Sequence, residues 1–557
     1  MKSPHLRNIL PASLGILILL LPSACSVLTL PAPERTEAKE PPTPAAASPA
    51  SAGADATAAY PITLRLTITA PPPPADWAVA GSQEGDPTAG DANVAGQGGL
   101  ATAPAWSATA DGAGVLLGWS VSTAGDVNGD GYDDVIVGVP RYDDGQPEEG
   151  VVFLYAGGPD GPATSPAWTV NSGQAYAWFG IAVASAGDVN GDGYDDVIVG
   201  APRYDDQQRD EGAAFVYYGG PTGILTTTAW LAHPTDQADA RFGTAVATAG
   251  DVDGDGFADV VITANGYDAE GTNEGAAFVY HGGPDGLVTA PAWMVHPTDQ
   301  DYANFGRSAS TASDVNGDGY SDVVVGTPWY DTDQSEENWD KGAAFVYHGS
   351  ALGLSPDPDS TMMGEGQEKG KFGIAVSTAG DVNGDGYSDV IVGAYQHRET
   401  PDVTPYREGV VFVYHGGPAG LTTGAADWTA AGGQREAKFG LAVSTAGDVN
   451  GDGYADVAVG APNYEDGLPH AGAAFVYHGG SGGLDASPAW SVQGDQEGAG
   501  YGFAVATAGD VNGDGISDLI VGAPTYNSSE MDAGGAFVYL GSGGGGLPVN
   551  ARPARVD

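Results

Sequence analysis

A nine-residue acidic loop recurs seven times along this chain of 557 residues, and it limits the folds open to the sequence more than any other feature. The second copy reads Asp188-Val189-Asn190-Gly191-Asp192-Gly193-Tyr194-Asp195-Asp196 and runs into Val197-Ile198-Val199-Gly200. Oxygen-bearing side chains fall at loop positions 1, 3, 5 and 9, and position 7 offers a backbone carbonyl. Hard cations such as Ca²⁺ take about six to eight oxygens at roughly 2.3–2.6 Å, and one tight turn of this spacing supplies them. Glycine at position 6 permits the sharp bend that turns those oxygens inward.

The first half of an EF-hand loop has the same spacing, so the second half decides. An EF-hand requires a bidentate Glu at position 12 and flanking helices. Position 12 is Val137 in the first copy and Val199 in the second, each inside a β-branched run. The loop therefore joins two strands. Its candidate ligands are Asp126, Asn128, Asp130, Tyr132 and Asp134 in the first copy, and Asp188, Asn190, Asp192, Tyr194 and Asp196 in the second. The third supplies Asp251, Asp253, Asp255, Phe257 and Asp259; the fourth supplies Asp314, Asn316, Asp318, Tyr320 and Asp322. In the fifth they are Asp381, Asn383, Asp385, Tyr387 and Asp389. The sixth has Asp448, Asn450, Asp452, Tyr454 and Asp456, and the seventh Asp510, Asn512, Asp514, Ile516 and Asp518. Tyr, Phe and Ile enter these sets only through their carbonyls. Asp253 stands where the other copies have Asn and adds a carboxylate expected to strengthen cation binding.

The formal charge of −53 argues against nucleic acid and against anionic membrane surfaces as partners. Part of it belongs to the loops; the rest reads as a solvated surface. At the N-terminus, Lys2 and Arg7 precede an apolar stretch from Ile9 to Leu21, the pattern of an export signal too short to span a bilayer comfortably. Residues 1–24 are assigned to that signal. The only cysteine, Cys25, follows Ser23-Ala24 in a segment that resembles a lipobox, with Pro22 where Leu is usual. Lipidation at Cys25 is the expectation, with ordinary cleavage as the alternative; a lipid there would be the chain's one link to a membrane. Residues 25–98 form a linker rich in Pro, Ala, Thr and Gly, interrupted by the alternating run Ile62-Thr63-Leu64-Arg65-Leu66-Thr67-Ile68. The expected location is the cell surface, anchored at an outer membrane, or the surrounding medium.

The first loop residues, from Asp126 and Asp188 through to Asp510, place successive copies 62 to 67 residues apart. Each unit carries four strand signals, in the second unit Phe179–Val183, Asp196–Val199, Ala213–Tyr217 and Thr228–Leu231. Short, evenly spaced strands with turn signals and no helical period predict an all-β array. Seven units of four strands predict a seven-bladed β-propeller over 99–546, followed by a tail at 547–557. Most fourth strands carry a Trp: Trp168, Trp230, Trp293, Trp428 and Trp490. The fourth unit has Thr361-Met362 at about that place, and the seventh ends after Phe537-Val538-Tyr539. A spare strand, Leu100-Ala101-Thr102-Ala103-Pro104-Ala105-Trp106, precedes the first unit. It is expected to complete the last blade and close the ring.

Phe179-Gly180 with Gly200-Ala201-Pro202, and Phe439-Gly440 with Gly460-Ala461-Pro462, give the units their signature. They resemble FG-GAP repeats, which form the propeller of integrin α subunits and of related exported bacterial proteins. Local departures include Leu117-Gly118, Tyr501-Gly502, Thr263-Ala264-Asn265 and Gly393-Ala394-Tyr395, none of which removes a loop ligand. The resemblance implies calcium in the loops, here up to seven ions because every unit keeps the full set, with an extracellular-grade affinity of about 10⁻⁴–10⁻³ M. It also implies adhesion or ligand binding on the face opposite the loops. The connections that depart most from the repeat there contain Trp329, Tyr330, Trp339, Tyr395, His397 and Arg398, a mixture of aromatic and basic residues suited to binding hot spots. The expected partner is an extracellular protein or polysaccharide.

No catalytic residue is assigned. His281, His348, His415 and His478 each follow a Val-Tyr pair, and a residue that recurs with the repeat reads as packing or turn geometry. The string Gly479-Gly480-Ser481-Gly482-Gly483 has Gly-x-Ser-x-Gly spacing but is the turn that recurs as Gly219-Gly220-Pro221-Thr222-Gly223, not a strand-to-helix elbow, and no HExxH or cysteine nucleophile is present. Two alternatives stay open: a passive surface scaffold, and a propeller hydrolase or lyase, or an accessory to one.

Overall fold

Each unit contributes one strand buried on both faces, and the sheet is built outward from it. In the first unit this is β3 (Asp134–Val139), whose six residues are all buried. A continuous apolar run of this length is what a strand sandwiched between neighbouring sheets requires. The computed structural model describes residues 99–543 apart from 298–299, 332–339, 365–368, 398–406 and 423. These lie within the compact unit Leu64–Asp557. The export signal, Cys25, the linker with its 62–68 run, and the tail lie outside the described residues.

β3 pairs antiparallel with β2 (Ser120–Gly125) on one side and β4 (Val151–Tyr155) on the other, and β4 pairs with β5 (Trp168–Asn171). The same four-strand order recurs to give seven sheets, with no helix among the described residues. The first strands of successive sheets lie against one another, and β26 (Ala504–Gly509), the last of them, lies against β2, so the sheets form a ring. Small residues such as Ala, Ser, Thr and Gly dominate these inner strands, because seven backbones converge there.

The seventh sheet consists of β26, β27 (Asp518–Ala523), β28 (Gly535–Tyr539) and, at its outer edge, β1 (Trp106–Thr109). β1 runs antiparallel to β28, with Trp106 opposite Val538 and Thr109 opposite Gly535. Trp490 of the sixth sheet donates its indole N–H to the Ala101 carbonyl at 2.9 Å. Equivalent bonds run from Trp106 to Ala163, Trp230 to Val288 and Trp293 to Ser355. Each of these tryptophans also packs edge-on against a tyrosine of the next sheet, as Trp168 does on Tyr217 with centroids 4.9 Å apart. In the fourth unit the register places Ser360, rather than Thr361-Met362, at the tryptophan position, since Ser360 pairs with Val346 as Trp293 pairs with Val279.

The Phe-Gly and Gly-Ala-Pro signature has a packing cause. Phe179, Phe242, Phe305, Phe372 and Phe439 are buried, and Phe179 meets Phe215 of its own third strand at 5.2 Å. The following Gly180 donates its N–H to the Gly200 carbonyl at 3.0 Å, within its own sheet. Its own carbonyl faces Gly138 of the preceding sheet so closely that a Cβ on Gly138 would overlap it. The same approach brings Gly243 to Gly200, Gly440 to Gly393 and, across the ring junction, Gly118 to Gly522. In the third unit Thr263 takes the crowded position. There the Thr263 hydroxyl accepts the Ala245 N–H at 3.1 Å, and the strand pairing shifts between Phe242 and Val246.

Replacing Gly200 by Ala should therefore destabilise the protein by about 1–3 kcal/mol through overpacking. The same change at Gly161, around which a Cβ meets nothing, carries only the cost of its positive φ. Thermal melts of the two variants check the difference, with Gly200→Ala melting lower.

Candidate cation loops and the central funnel

A β-bulge starts each acidic loop. In the first sheet the strand register shifts between Thr123 and Gly125, where Gly125 takes φ 73° and donates to the Thr123 hydroxyl at 3.0 Å. Bulges bend a strand and re-aim the residues beyond the bend. The chain then curls around the position-1 carboxylate. Asp188 Oδ1 accepts the N–H groups of Gly191 and Asp192, and its Oδ2 accepts that of Gly193. Asn190 Oδ1 takes the Asp192 N–H and Asp192 Oδ1 the Tyr194 N–H. The bonds around the position-1 Asp recur in the other loops, on Asp126, Asp251, Asp314, Asp381, Asp448 and Asp510.

Position 9 differs from the others. Asp134, Asp196, Asp259, Asp322, Asp389, Asp456 and Asp518 are each 0 % exposed. One oxygen of each accepts the position-2 N–H, as Asp196 Oδ2 does from Val189 at 3.0 Å. The other accepts the N–H of a glycine just past the third strand, as Asp196 Oδ1 does from Gly219 at 2.9 Å. This carboxylate thus fastens the loop to the body of its own sheet. Burial pushes Asp134, Asp196, Asp456 and Asp518 from the ordinary 3.8 up to about 7, against the two N–H donors and with the position-1 and position-5 carboxylates adding to the rise. Asp259, Asp322 and Asp389 rise to about 6, again by burial, with His281, His348 and His415 acting to lower them.

Neighbouring loops are chained together. The position-8 N–H of each loop donates to the position-1 carbonyl of the loop before it: Asp195 to Asp126, Ala258 to Asp188, Ser321 to Asp251 and Ser388 to Asp314. Ala455 to Asp381, Ser517 to Asp448 and Asp133 to Asp510 complete the circle. The side chain at position 7 lies over the position-4 glycine of the previous loop, Tyr194 over Gly129 and Phe257 over Gly191. Position 7 thus carries packing as well as a carbonyl.

The donor set fits a hard cation. In the third loop Asp251, Asp253 and Asp259 each offer an oxygen, all within 4.8 Å of one another. Several carboxylates this close, one of them buried, repel until a cation enters. Asp253 is also shared: its Oδ2 lies 2.8 Å from His281 Nδ1, so the added carboxylate is partly engaged by the histidine. The recurring histidines sit between sheets, with His281, His348, His415 and His478 packed over Gly353, Gly420, Gly483 and Gly99.

The opposite face is concave. A central cavity of ≈ 640 Å³ is lined by the first residues of all seven inner strands together with Tyr395, Gln396 and Lys438. The residue after each Phe-Gly or its equivalent rings the mouth: Trp119, Ile181, Thr244, Arg307, Ile374, Leu441 and Phe503. Trp119 and Phe503 pack 4.6 Å apart. Arg307 alone among the seven is charged; its side chain reaches water inside the funnel, while the surrounding protein holds the guanidinium below its ordinary value. Sequence reasoning passed over Arg307, although a cation where the other units place apolar, aromatic or threonine residues was a visible signal. It also passed over Trp178, which Arg203 covers at 3.5 Å and Arg141 approaches at 5.4 Å.

The sequence-selected ligand residues are only partly at this mouth. Tyr395 lines the funnel and accepts a hydrogen bond from Gln396 at 2.8 Å. Trp329 is half-buried beneath Lys371, whose Nζ stands 4.6 Å from the ring and 2.9 Å from Asp340. Tyr330, half-buried, and His397, buried, have packing partners of their own. They occupy the same place as Tyr204, edge-on to Phe345 and Phe412 as Tyr204 is to Phe215. His397 is 8 % exposed and burial lowers it to about 4, so it is a neutral packing residue. Trp339 and Arg398 lie outside the described residues.

Comparison with known proteins agrees with this geometry. The FG-GAP repeat family matches residues 117–155, 179–217, 242–280, 305–347, 372–414, 439–477 and 501–540. Integrin alpha-4 of Xenopus laevis is 34% identical over 215 residues, 38% of this chain and 20% of that protein. Integrin alpha-V of Gallus gallus is 34% identical over 244 residues, 42% of this chain and 22% of that protein. The matches thus span about a fifth of each relative's length. Saccharomyces cerevisiae Sqt1 and the rhamnogalacturonan lyase YesX align with a TM-score of 0.39 each, at 11% and 14% identity, covering 73% and 76% of this chain and 81% and 72% of theirs. At that distance neither bears on function.

The raised position-9 carboxylates set a pH dependence. With chelator present, the folded chain holds more protons than the unfolded one between the ordinary 3.8 and about 7. Stability should therefore fall as pH rises through that window and level off above it. Saturating Ca²⁺, which binds the ionised form, should abolish or reverse the slope. Thermal melts at stepped pH in the two conditions give the comparison.

Proposed function

Because the chain belongs to the FG-GAP repeat family and carries an integrin-α-like propeller, we propose that it is a calcium-loaded, exported binding protein that takes an extracellular protein or polysaccharide at its funnel face. The observation that supports binding over a passive scaffold is the open funnel opposite the loops, ringed by aromatic and aliphatic side chains around one guanidinium. Concave, mostly apolar sites with a few placed polar groups are where ligands bind. Arg307, Trp119, Phe503 and Tyr395 are the residues we assign to contact.

Ca²⁺ would be held by positions 1, 3, 5 and 9 and the position-7 carbonyl of each loop, where it supplies neutralising charge to the carboxylates. Its role here is structural: the loops lie on the face away from the funnel and are chained to one another. We read the chain as non-enzymatic, and its export as ending in lipidation at Cys25.

Asp192→Ala should lower the melting temperature in Ca²⁺ and leave it nearly unchanged in chelator; an equal drop in both would remove the cation from that loop. Immobilised full-length protein, screened against polysaccharides and matrix proteins in Ca²⁺, should capture a ligand that Arg307→Ala and Trp119→Ala each release. Capture that survives both changes would move the site away from the funnel.

A further inference from the structure

Outside the acidic loops, one cluster of side chains among the described residues has the chemistry of a different metal. Asp206, Glu211 and His233 each present a ligand atom, all within 4.8 Å of one another. Asp206 and Glu211 lie on the connection between β7 (Asp196–Ala201) and β8 (Ala213–Tyr217), and His233 follows β9 (Trp230–Ala232). The cluster is therefore on the funnel face, away from the second calcium loop.

Glu211 is 0 % exposed, and its two oxygens are used unequally. Oε1 accepts the N–H groups of Asp206 at 2.6 Å and Gln207 at 2.9 Å. Oε2 is buried without any hydrogen-bond partner. An unpartnered buried carboxylate oxygen is costly, and a cation is one thing that compensates it. His233 Nδ1 stands 3.6 Å from Asp206 Oδ2. Two ligands at about 2.0–2.2 Å on a tetrahedral ion are separated by roughly 3.4 Å, so this pair is already close to shared coordination. Both side chains are partly exposed and free to adjust, while Glu211 is fixed by its two backbone donors.

The arrangement is not a by-product of the repeat. The third unit keeps Glu274 and His296 but has Ala269 at the place of Asp206. The first has Asp144 and Glu149, but Asn171 replaces the histidine and donates directly to the Asp144 carboxylate at 2.8 Å, a contact made without an imidazole ligand. In the sixth, Ala471 stands in place of the glutamate.

We propose that Asp206, Glu211 and His233 form a site for a transition-metal dication of the Zn²⁺ class, separate from the calcium loops. One imidazole and two carboxylates suit Zn²⁺ or Co²⁺, whereas Ca²⁺ takes oxygen ligands only. Three protein ligands leave a fourth position open to water or to a donor from a bound partner.

The test titrates Zn²⁺ by calorimetry into the full chain, without an added histidine tag, in saturating Ca²⁺ so that the acidic loops are filled. One Zn²⁺ per chain is expected, and it should raise the melting temperature. His233→Ala and Asp206→Asn, both at partly exposed side chains, should weaken that binding roughly tenfold or more and remove the thermal shift. His296→Ala should change neither. Co²⁺ in place of Zn²⁺ should give the intense visible absorption of a tetrahedral, nitrogen-ligated ion, lost with His233→Ala. Absence of the one-equivalent step, or Zn²⁺ affinity unaltered by His233→Ala and Asp206→Asn, would overturn the site.

Discussion

The structure depends on seven carboxylates placed where a carboxylate is least comfortable. Asp134 and its six counterparts are fully buried at the end of each acidic loop, and each ties the loop to its own sheet through two backbone N–H donors. Two such bonds do not offset removal of the charge from water, which is why burial raises these groups so far. A cation coordinated by positions 1, 3, 5, 7 and 9, as proposed, would resolve the conflict, because it needs the ionised form that the protein alone disfavours. Proposed loop ligand and architectural fastener would then be one residue.

From that fastening the order spreads sideways. Backbone bonds between successive loops circle one face, from Asp195 to Asp126 and on until Asp133 reaches Asp510. Glycine-to-glycine contacts join the sheets nearer the other face, with Thr263 against Gly306 as the exception, and tryptophan-to-tyrosine packing links their outer edges except after the fourth sheet, where Ser360 stands. β1, contributed from before the first unit, lies on β28, and Ala101 in the segment leading into it accepts the bond from Trp490. A ring connected in three places is expected to unfold as one body, so that a perturbation at one loop is felt by its neighbours.

Much of this was legible because repetition amplifies a local signal. One DxNGDGxxD is weak, whereas seven in phase, each followed by a β-branched run, specify strands and cation loops together. The spare segment ending at Trp106 was readable for the same reason, as a motif without its unit, although the strand it leads into begins only at Trp106 rather than at Leu100. What escaped reading was set by register and by space. Ser360 takes the tryptophan position because strand pairing, not spacing, decides it. Tyr330 and His397 looked like departures in long loops, yet both fill the slot beside a third-strand phenylalanine that Tyr204 fills elsewhere. Arg307 was visible as a charge out of pattern, but only the closed ring shows that it points into a funnel. Asp206, Glu211 and His233 meet through folding, and no spacing along the chain announces them.

The central claim is that every loop holds calcium and that calcium holds the ring. Equilibrium dialysis of chelator-stripped protein against increasing Ca²⁺, with unfolding followed on the same samples, tests it most directly. The account predicts close to seven ions per chain, with the melting temperature rising in step with occupancy and a single cooperative transition throughout. One or two ions per chain, or a melting temperature indifferent to occupancy, would contradict it.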